Sequence, residues 1–588
     1  MSRRIAAAGL AFVLTAALRF LNSATAFEGG FPQIRPLDDL YHLKRMTYSA
    51  AHFPRVLEFD KDRGVKGAYC PWPPLYDLAS GGLARVFGST AMIDVLAIVV
   101  WIPPLLTAAF VAMFMFALWP RAPLAAIVTT MAIALSPSPL VDSWIGSIDH
   151  HFLEPPLVFA ILGAVALVLM SARERELRAG ITLGVAMTPA MFVQPALLLG
   201  CGVAFAVVFF ANRTRAAMVA FALPAGVIAL FRLTRDAAMP DNPWFLGWPH
   251  AAIFFGAFVA ALIAWRIDAK TIGARFVALA AGAIATLLVP GALRGITGGA
   301  QFLGGDVWLS RIKEFQPIWT LSGRPLWIYA TCLIAGAVLT VPLLLRGIRT
   351  KHAVMIAIAG FAMLYLALAM TSLRFTSIAT CVLALAGGFF AEAWWRDGKR
   401  NAAIAIALFV VVPAALNLIL FVRMGMPHPL TGMSAPMQVA GFLRRENPAR
   451  ERALAPWMWG HAFDVIGDTP VILDNFGTMP SAEEFRRAHE VLLTSNENEL
   501  ASYCRAAGVR FVVLTRPPVA IVDAGLTIGV PLETFVRNNA LTERTTSTWW
   551  WRAWNQFPTP TNHFHPAFET RDGSVRVWRL VDDPPRQR

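Results

Sequence analysis

Charged side chains are scarce in this chain: Asp, Glu, Lys and Arg make up 15% of its 588 residues, against 56% hydrophobic. A soluble protein of this length cannot coat its surface with so few charges, and a mean hydropathy of +0.55 excludes that class. The chain reads as a polytopic membrane protein. Cysteine is rare as well. Cys70, Cys201, Cys332, Cys381 and Cys504 stand far apart, with no CxxC and no metal-ligand spacing, which argues against a disulfide framework or a cysteine zinc site. There is no internal repeat, and no low-complexity segment beyond the tail DDPPRQR.

What charge there is leans basic, with a net +14. The basic residues sit in short clusters between apolar runs, the pattern of cytoplasmic loops rather than of a nucleic-acid surface. Apolar stretches near 5–20, 91–118, 122–139, 154–170, 180–196, 197–211, 216–232, 250–265, 274–291, 325–345, 353–370, 376–393 and 402–422 give about thirteen spans of a ~30 Å apolar core. With the N-terminus inside, Arg121, Arg173–Arg178, Arg213 and Arg215, Arg266–Arg275, Arg346–Lys351 and Arg396–Arg400 all fall inside, as the loop-charge rule requires. The expected division is a membrane domain at 1–422, with large external loops at about 22–90 and 292–324, and a mixed α/β C-terminal domain at 423–588. In that last part Met437–Arg445 has helical periodicity, and PVILDNF, VRFVVLT and SVRVWRLV read as strands. Its cluster Trp549, Trp550, Trp551 and Trp554 suits a core or membrane-facing position.

In this register four polar stretches face outward. The sharpest is WIGSIDHHFLEPP (Trp144–Pro156), where Asp149, His150, His151 and Glu154 interrupt two spans. Ionisable groups at a membrane boundary are expensive unless solvated, paired or metal-bound. Asp149 and His151 at i, i+2 supply a hard oxygen and an imidazole nitrogen, a set suited to Mn²⁺, Mg²⁺ or Zn²⁺. Asp38 and Asp39 open a helical stretch in the first loop, where one carboxylate could instead cap the helix. Glu314 lies in SRIKEFQP, within reach of Arg311 or Lys313 as a surface partner, after a glycine-rich lead-in that reads as flexible. Arg374 sits at a membrane edge, suited to phosphate binding or to snorkelling.

These motifs, in this order and on one side, resemble the catalytic subunit of oligosaccharyltransferases. The resemblance is to the single-subunit bacterial and archaeal kind, membrane glycosyltransferases of the GT-C class. It implies thirteen transmembrane helices, a cytoplasmic N-terminus and a periplasmic C-terminal domain. DDLYHLKRM resembles the family's first acidic motif; aligning on Tyr41-His42-Leu43 puts Asp38 at the catalytic place, with Asp39 as the alternative. SIDHH resembles the DxD or DxH motif and carries metal-ligand roles onto Asp149 and His151. SRIKEFQP is similar to the external-loop motif that contributes Glu314, and LRFTSIA to the segment whose arginine, here Arg374, contacts the lipid diphosphate. The implied metal set is therefore Asp38, Asp149, His151 and Glu314, holding Mn²⁺ or Mg²⁺.

One motif departs from the family. Its WWDYG signature, which reads the acceptor hydroxyl, aligns on Gly460 with Pro456-Trp457-Met458-Trp459, making Trp457, Met458 and Trp459 the expected acceptor contacts. Methionine cannot accept a hydrogen bond from a Ser or Thr hydroxyl as a carboxylate does. The resemblance implies metal-dependent, inverting transfer of a glycan from an undecaprenyl-type polyprenyl-diphosphate carrier to an acceptor asparagine, by a single subunit at the periplasmic face of a bacterial inner membrane. The alternative is a GT-C transferase acting on a lipid, a glycan or a Ser/Thr hydroxyl. A transporter predicts midplane charges and an inverted repeat, and neither is present. A scaffold that has lost activity would fit the altered tryptophan motif.

Overall fold

The computed structural model describes residues 1–35, 37–293, 295, 297–298, 306–321, 323–425 and 432–581, the side chains of 324, 325, 328 and 330–332 apart. The glycine-rich lead-in to Glu314 and the tail after 581 lie largely outside the described residues.

Each stretch expected to cross the membrane contains helix. Among the described residues, seven helices are long and apolar enough to span by length and composition. They are Met92–Leu118, His150–Met170, Thr214–Leu233, Trp248–Arg266, Ala353–Thr371, Leu373–Arg396 and Arg400–Arg423. Pro123–Leu135 and Pro137–Ser143 reach that length only together and are bent by 65° at Ser136, as a broken span or a re-entrant loop is. The break follows from the prolines, whose rings exclude the preceding turn's hydrogen bonds. Leu373–Arg396 is the most enclosed span, with 89% of its apolar window buried, so the others pack around it. This is a polytopic helical membrane protein.

Outside the spans, helix α1 (Asp38–His52) lies across α2 (Leu75–Val86). Gly81 permits the approach, because a Cβ there would stand 2.4 Å from the Met46 carbonyl oxygen. The C-terminal part is built on a four-stranded sheet: β1 (Arg452–Leu454), β2 (Val509–Thr515), β3 (Phe564–Glu569) and β4 (Val575–Leu580), in the order β1-β2-β4-β3. β1 and β2 are parallel and the other pairs antiparallel. Alternation along β2 divides its side chains between two cores. Phe511 and Val513 join Leu40, Leu43 and Met46 of α1, while Val512 and Leu514 join Trp549, Trp550, Trp554 and Phe564. The sheet thus docks the C-terminal part on the segment that carries α1.

Two polar links fasten the same joint. Arg63 forks onto Asp474, both buried, and Lys44 Nζ lies 2.8 Å from Asp464 and 2.7 Å from Asp60. PVILDNF is not a strand, contrary to its pattern. Only Val471 forms bridges, to Arg63 and Ala453, because the chain bends at Ile472 and Leu473 directly after it and turns from Asn475 on. Two strands of the sheet carried no sequence signal: β1, of three residues, and β3, which carries Pro566 and lies at the sheet edge, where a missing N–H is tolerated.

Candidate active site

The DHH loop is fastened from three directions before it reaches Asp149. Asn22 donates to the Ile145 carbonyl (2.6 Å), Tyr76 to the Ile148 carbonyl (2.8 Å), and the Ile148 N–H donates to Asp39 Oδ1 (2.6 Å). Asp39 also pairs with Arg35 at 3.3 Å and is buried. Its carboxylate is therefore committed to holding the loop. Neither Asp38 nor Asp39 caps α1, whose N-cap is Leu37; both occupy the first turn, where the helix dipole favours negative charge.

Three groups converge beyond this anchor. His151 Nε2 is 3.4 Å from Asp149 Oδ2 and 4.0 Å from Glu314 Oε2, while His151 Nδ1 is turned back onto Glu154 Oε1 at 2.8 Å. A carboxylate on the far nitrogen orients an imidazole as metal sites require. Glu314 arrives on a short 3₁₀ turn tied to the membrane edge: Ser372 Oγ donates to the Glu314 carbonyl, and the Leu373 N–H to Gln316, each at 3.0 Å. That tie sets Arg374 Nη1 3.2 Å from Glu314 Oε1 and Nη2 3.7 Å from Glu154. Arg311, the surface partner available to Glu314 by sequence, pairs instead with Asp523.

Asp38 completes the cleft and keeps 35% of its side-chain surface open. Its partial burial, followed by the charges of Asp149 and Glu314, pushes it up to about 8. Crowded carboxylates are unfavourable unless a cation stands among them, and Arg374 beside Glu314 supplies one. Asp149 is buried, with His150 Nδ1 2.9 Å and His42 Nε2 3.3 Å from its Oδ1. Among the described residues two groups have ligand atoms close enough together to hold a metal: His42, Asp149 and His150, and His150, His151 and Glu154. Of the set expected from the sequence, Asp149 and His151 belong to these groups, whereas Asp38 and Glu314 belong to neither.

Several of these side chains carried no signal in the sequence. His42 rests on Asp77 at 2.6 Å, stacks on Trp72 with centroids 4.0 Å apart, and reaches His150 Nδ1 at 3.0 Å. Burial lowers its basicity, but Asp77 and Asp149 outweigh that and raise it to about 9. Its spacing from Asp77 and His150 follows no motif, so only the fold brings them together.

Trp457–Trp459 forms a 3₁₀ turn beside this cleft, with Met458 37% exposed and Trp457 edge-on to Trp308 at 5.7 Å. Gly460 is required by contact: a Cβ there would lie 2.3 Å from the Leu473 carbonyl oxygen. Next to Arg374 opens an apolar cavity of about 430 Å³, lined by Trp72, Gln194, Trp244, His250, Phe315 and Met479 among others.

No family model matches the sequence, and no curated protein matches it. The fold does have solved counterparts. It is similar to the oligosaccharyltransferase AglB of Archaeoglobus fulgidus in complex with an inhibitory peptide and a dolichol-phosphate, with a TM-score of 0.80 and 14% identity over 96% of this chain and 79% of that one. The apo form of the Archaeoglobus fulgidus oligosaccharyltransferase gives 0.80 and 15% over 96% and 80%. The form tethered to an acceptor peptide containing an NVT sequon gives 0.76 and 15% over 96% and 79%. Over nearly its whole length, then, the chain has the fold of the archaeal oligosaccharyltransferase, the family its external motifs resemble.

Proposed function

We propose that the protein is a membrane glycosyltransferase that moves a glycan from a polyprenyl-diphosphate carrier to an acceptor asparagine, with inversion at the anomeric carbon. The observation that carries the reading is the convergence of Asp149, His151, Glu314 and Arg374, from three separate segments, on one cleft floored by Asp38. The similar Archaeoglobus fulgidus enzyme has been solved with a dolichol-phosphate, with an acceptor peptide and with zinc and sulfate, which supports a lipid-linked anionic donor, a peptide acceptor and a cation.

Arg374 is the donor's anchor. Its guanidinium, at the mouth of the apolar cavity, can form paired charge-assisted hydrogen bonds to a diphosphate while the polyprenyl chain lies in the cavity and the membrane. Asp38 and Glu314 hold the acceptor. An amide nitrogen is a poor nucleophile because its lone pair is delocalised, and two carboxylates accepting from its N–H groups turn it out of conjugation and toward the anomeric carbon. A divalent cation, Mn²⁺ or Mg²⁺, held by Asp38, Asp149, His151 and Glu314 would offset charge developing on the leaving diphosphate. Glu154 keeps His151 in the tautomer that presents Nε2.

The reading includes a single working subunit at the periplasmic face of a bacterial inner membrane, with residues 423–588 as the external domain. Met458 favours a second reading of the acceptor, a group other than the strict Asn-X-Ser/Thr sequon: a lipid, a glycan or a Ser/Thr hydroxyl. Purified protein incubated with Mn²⁺, a polyprenyl-diphosphate glycan and fluorescent acceptor peptides tests both. Glycopeptide formation that stops on chelation supports the proposal, and donor binding without glycopeptide transfers support to the second reading.

A further inference from the structure

His461 directly follows the altered tryptophan motif and is fully buried, yet neither of its ring nitrogens has a hydrogen-bond partner. Polar atoms buried this way are costly and rare, so each one asks for a partner that arrives later or from another side. The ring cannot swing to find one. It is stacked on Tyr41, with centroids 4.8 Å apart at 23°, and Phe476 meets its edge at 4.9 Å. Tyr41 is itself held by Asp60 at 3.1 Å, and Gly460 lets the backbone press against Leu473 and Asp474. Asp38 lies beside this fixed ring, its Oδ1 3.9 Å from His461 Nε2.

We propose that His461 is a positioning residue whose Nε2–H donates to Asp38 Oδ1 when acceptor and cation enter the cleft, fixing the carboxylate toward the acceptor nitrogen. The gap of 3.9 Å is of the kind that closes in a reactant complex. The C-terminal part would then set the geometry of a first-loop carboxylate across the docking joint. The inference rests on the reading of Asp38 as an active-site carboxylate.

Three full-length variants test it: His461→Phe keeps the ring without donors, His461→Gln places an amide N–H at the ε position, and His461→Asn places one at the δ position. Transfer kinetics, Mn²⁺ binding followed by electron paramagnetic resonance, and thermal unfolding are measured for each. His461→Phe is expected to lower kcat about tenfold with acceptor KM changed less than about twofold, and to weaken Mn²⁺ binding. His461→Gln restores most of both, and His461→Asn does not. Wild-type kcat and Mn²⁺ affinity in His461→Phe, or equal loss in the Gln and Asn variants, overturns the proposal. Should the Phe variant fail to fold, the contrast between Gln and Asn decides alone. If wild-type protein transfers no glycan but the Mn²⁺ pattern holds, the glycosyltransferase reading falls and the role of His461 stands. Absence of both transfer and Mn²⁺ binding in the wild type overturns both.

Discussion

Arg374 and Glu314 face each other at 3.2 Å across 60 residues of sequence, joining the start of the Leu373–Arg396 helix to the Lys313–Phe315 turn. The proposed donor anchor and the proposed acceptor holder therefore share one ion pair. A diphosphate that draws Arg374 away frees Glu314 for the acceptor, which orders donor binding before acceptor binding. Arg374→Lys keeps the charge but loses the planar fork, and is expected to cut kcat/KM for the donor by about 10–100-fold. Initial rates against donor concentration read this directly. An unchanged value would place the diphosphate elsewhere.

The cation site is tested apart from turnover. Asp149→Ala removes the buried carboxylate that faces His150 and His151, and Glu314→Ala removes the oxygen 4.0 Å from His151 Nε2. Mn²⁺ is expected to raise the melting temperature of the wild type and to leave both variants unshifted, since a ligand stabilises only the state that binds it. A full Mn²⁺ shift in both would contradict the ligand set.

The sign of one pH effect follows from Asp38. Its folded value, raised from 3.8 to about 8, means that the metal-free fold binds this proton more tightly than the unfolded chain does. The Asp38 contribution to stability is complete below about 4 and is lost as pH rises through about 8. Asp38→Asn is expected to flatten that part of the melting-temperature profile of chelated protein between these limits. Stability of chelated wild type that rises over the same window would count against the crowded-carboxylate cleft.

Much of this cleft could be read along the chain because its parts are local. SIDHH, SRIKEFQP and LRFTSIA are polar breaks at membrane edges, where apolar flanks make each ionisable residue conspicuous. What could not be read depends on distant contacts. His42 meets His150 over 108 residues, and Asp39 is set apart from Asp38 by its burial, its Arg35 pair and the Ile148 N–H that donates to it. The PVILDNF segment has strand composition but bends away after the Val471 bridges, and β3 hides Pro566 at an edge. Span counting differs for a similar reason: apolar helices such as Pro195–Phe210 and Ile272–Leu287 are shorter than the length that identifies a crossing on its own.

The docking joint has its own consequence. Arg63 and Asp474 are both buried, so Asp474→Asn leaves an uncompensated cation and should cost about 3–5 kcal/mol. Hydrogen exchange is expected to accelerate at 59–69 and 470–476 before the spans are affected. Uniform protection in the variant would show that the apolar sheet face holds the joint alone.

The resemblance aligns Met458 with the family's hydroxyl-reading carboxylate. Met458→Asp is expected to raise the preference for Asn-X-Thr over Asn-X-Ala peptides by about tenfold, the worth of one added hydrogen bond to a charged acceptor. Competition between the two peptides measures the ratio.

The most direct measurement is single-turnover transfer by purified wild-type protein from a polyprenyl-diphosphate glycan to paired Asn-X-Thr and Asn-X-Ala peptides, with Mn²⁺ or with chelator. The account predicts glycopeptide with Mn²⁺, none with chelator, and little distinction between the peptides while Met458 is in place. Glycan transfer that proceeds equally well under chelation, or donor that binds and is never consumed by any peptide, would contradict it.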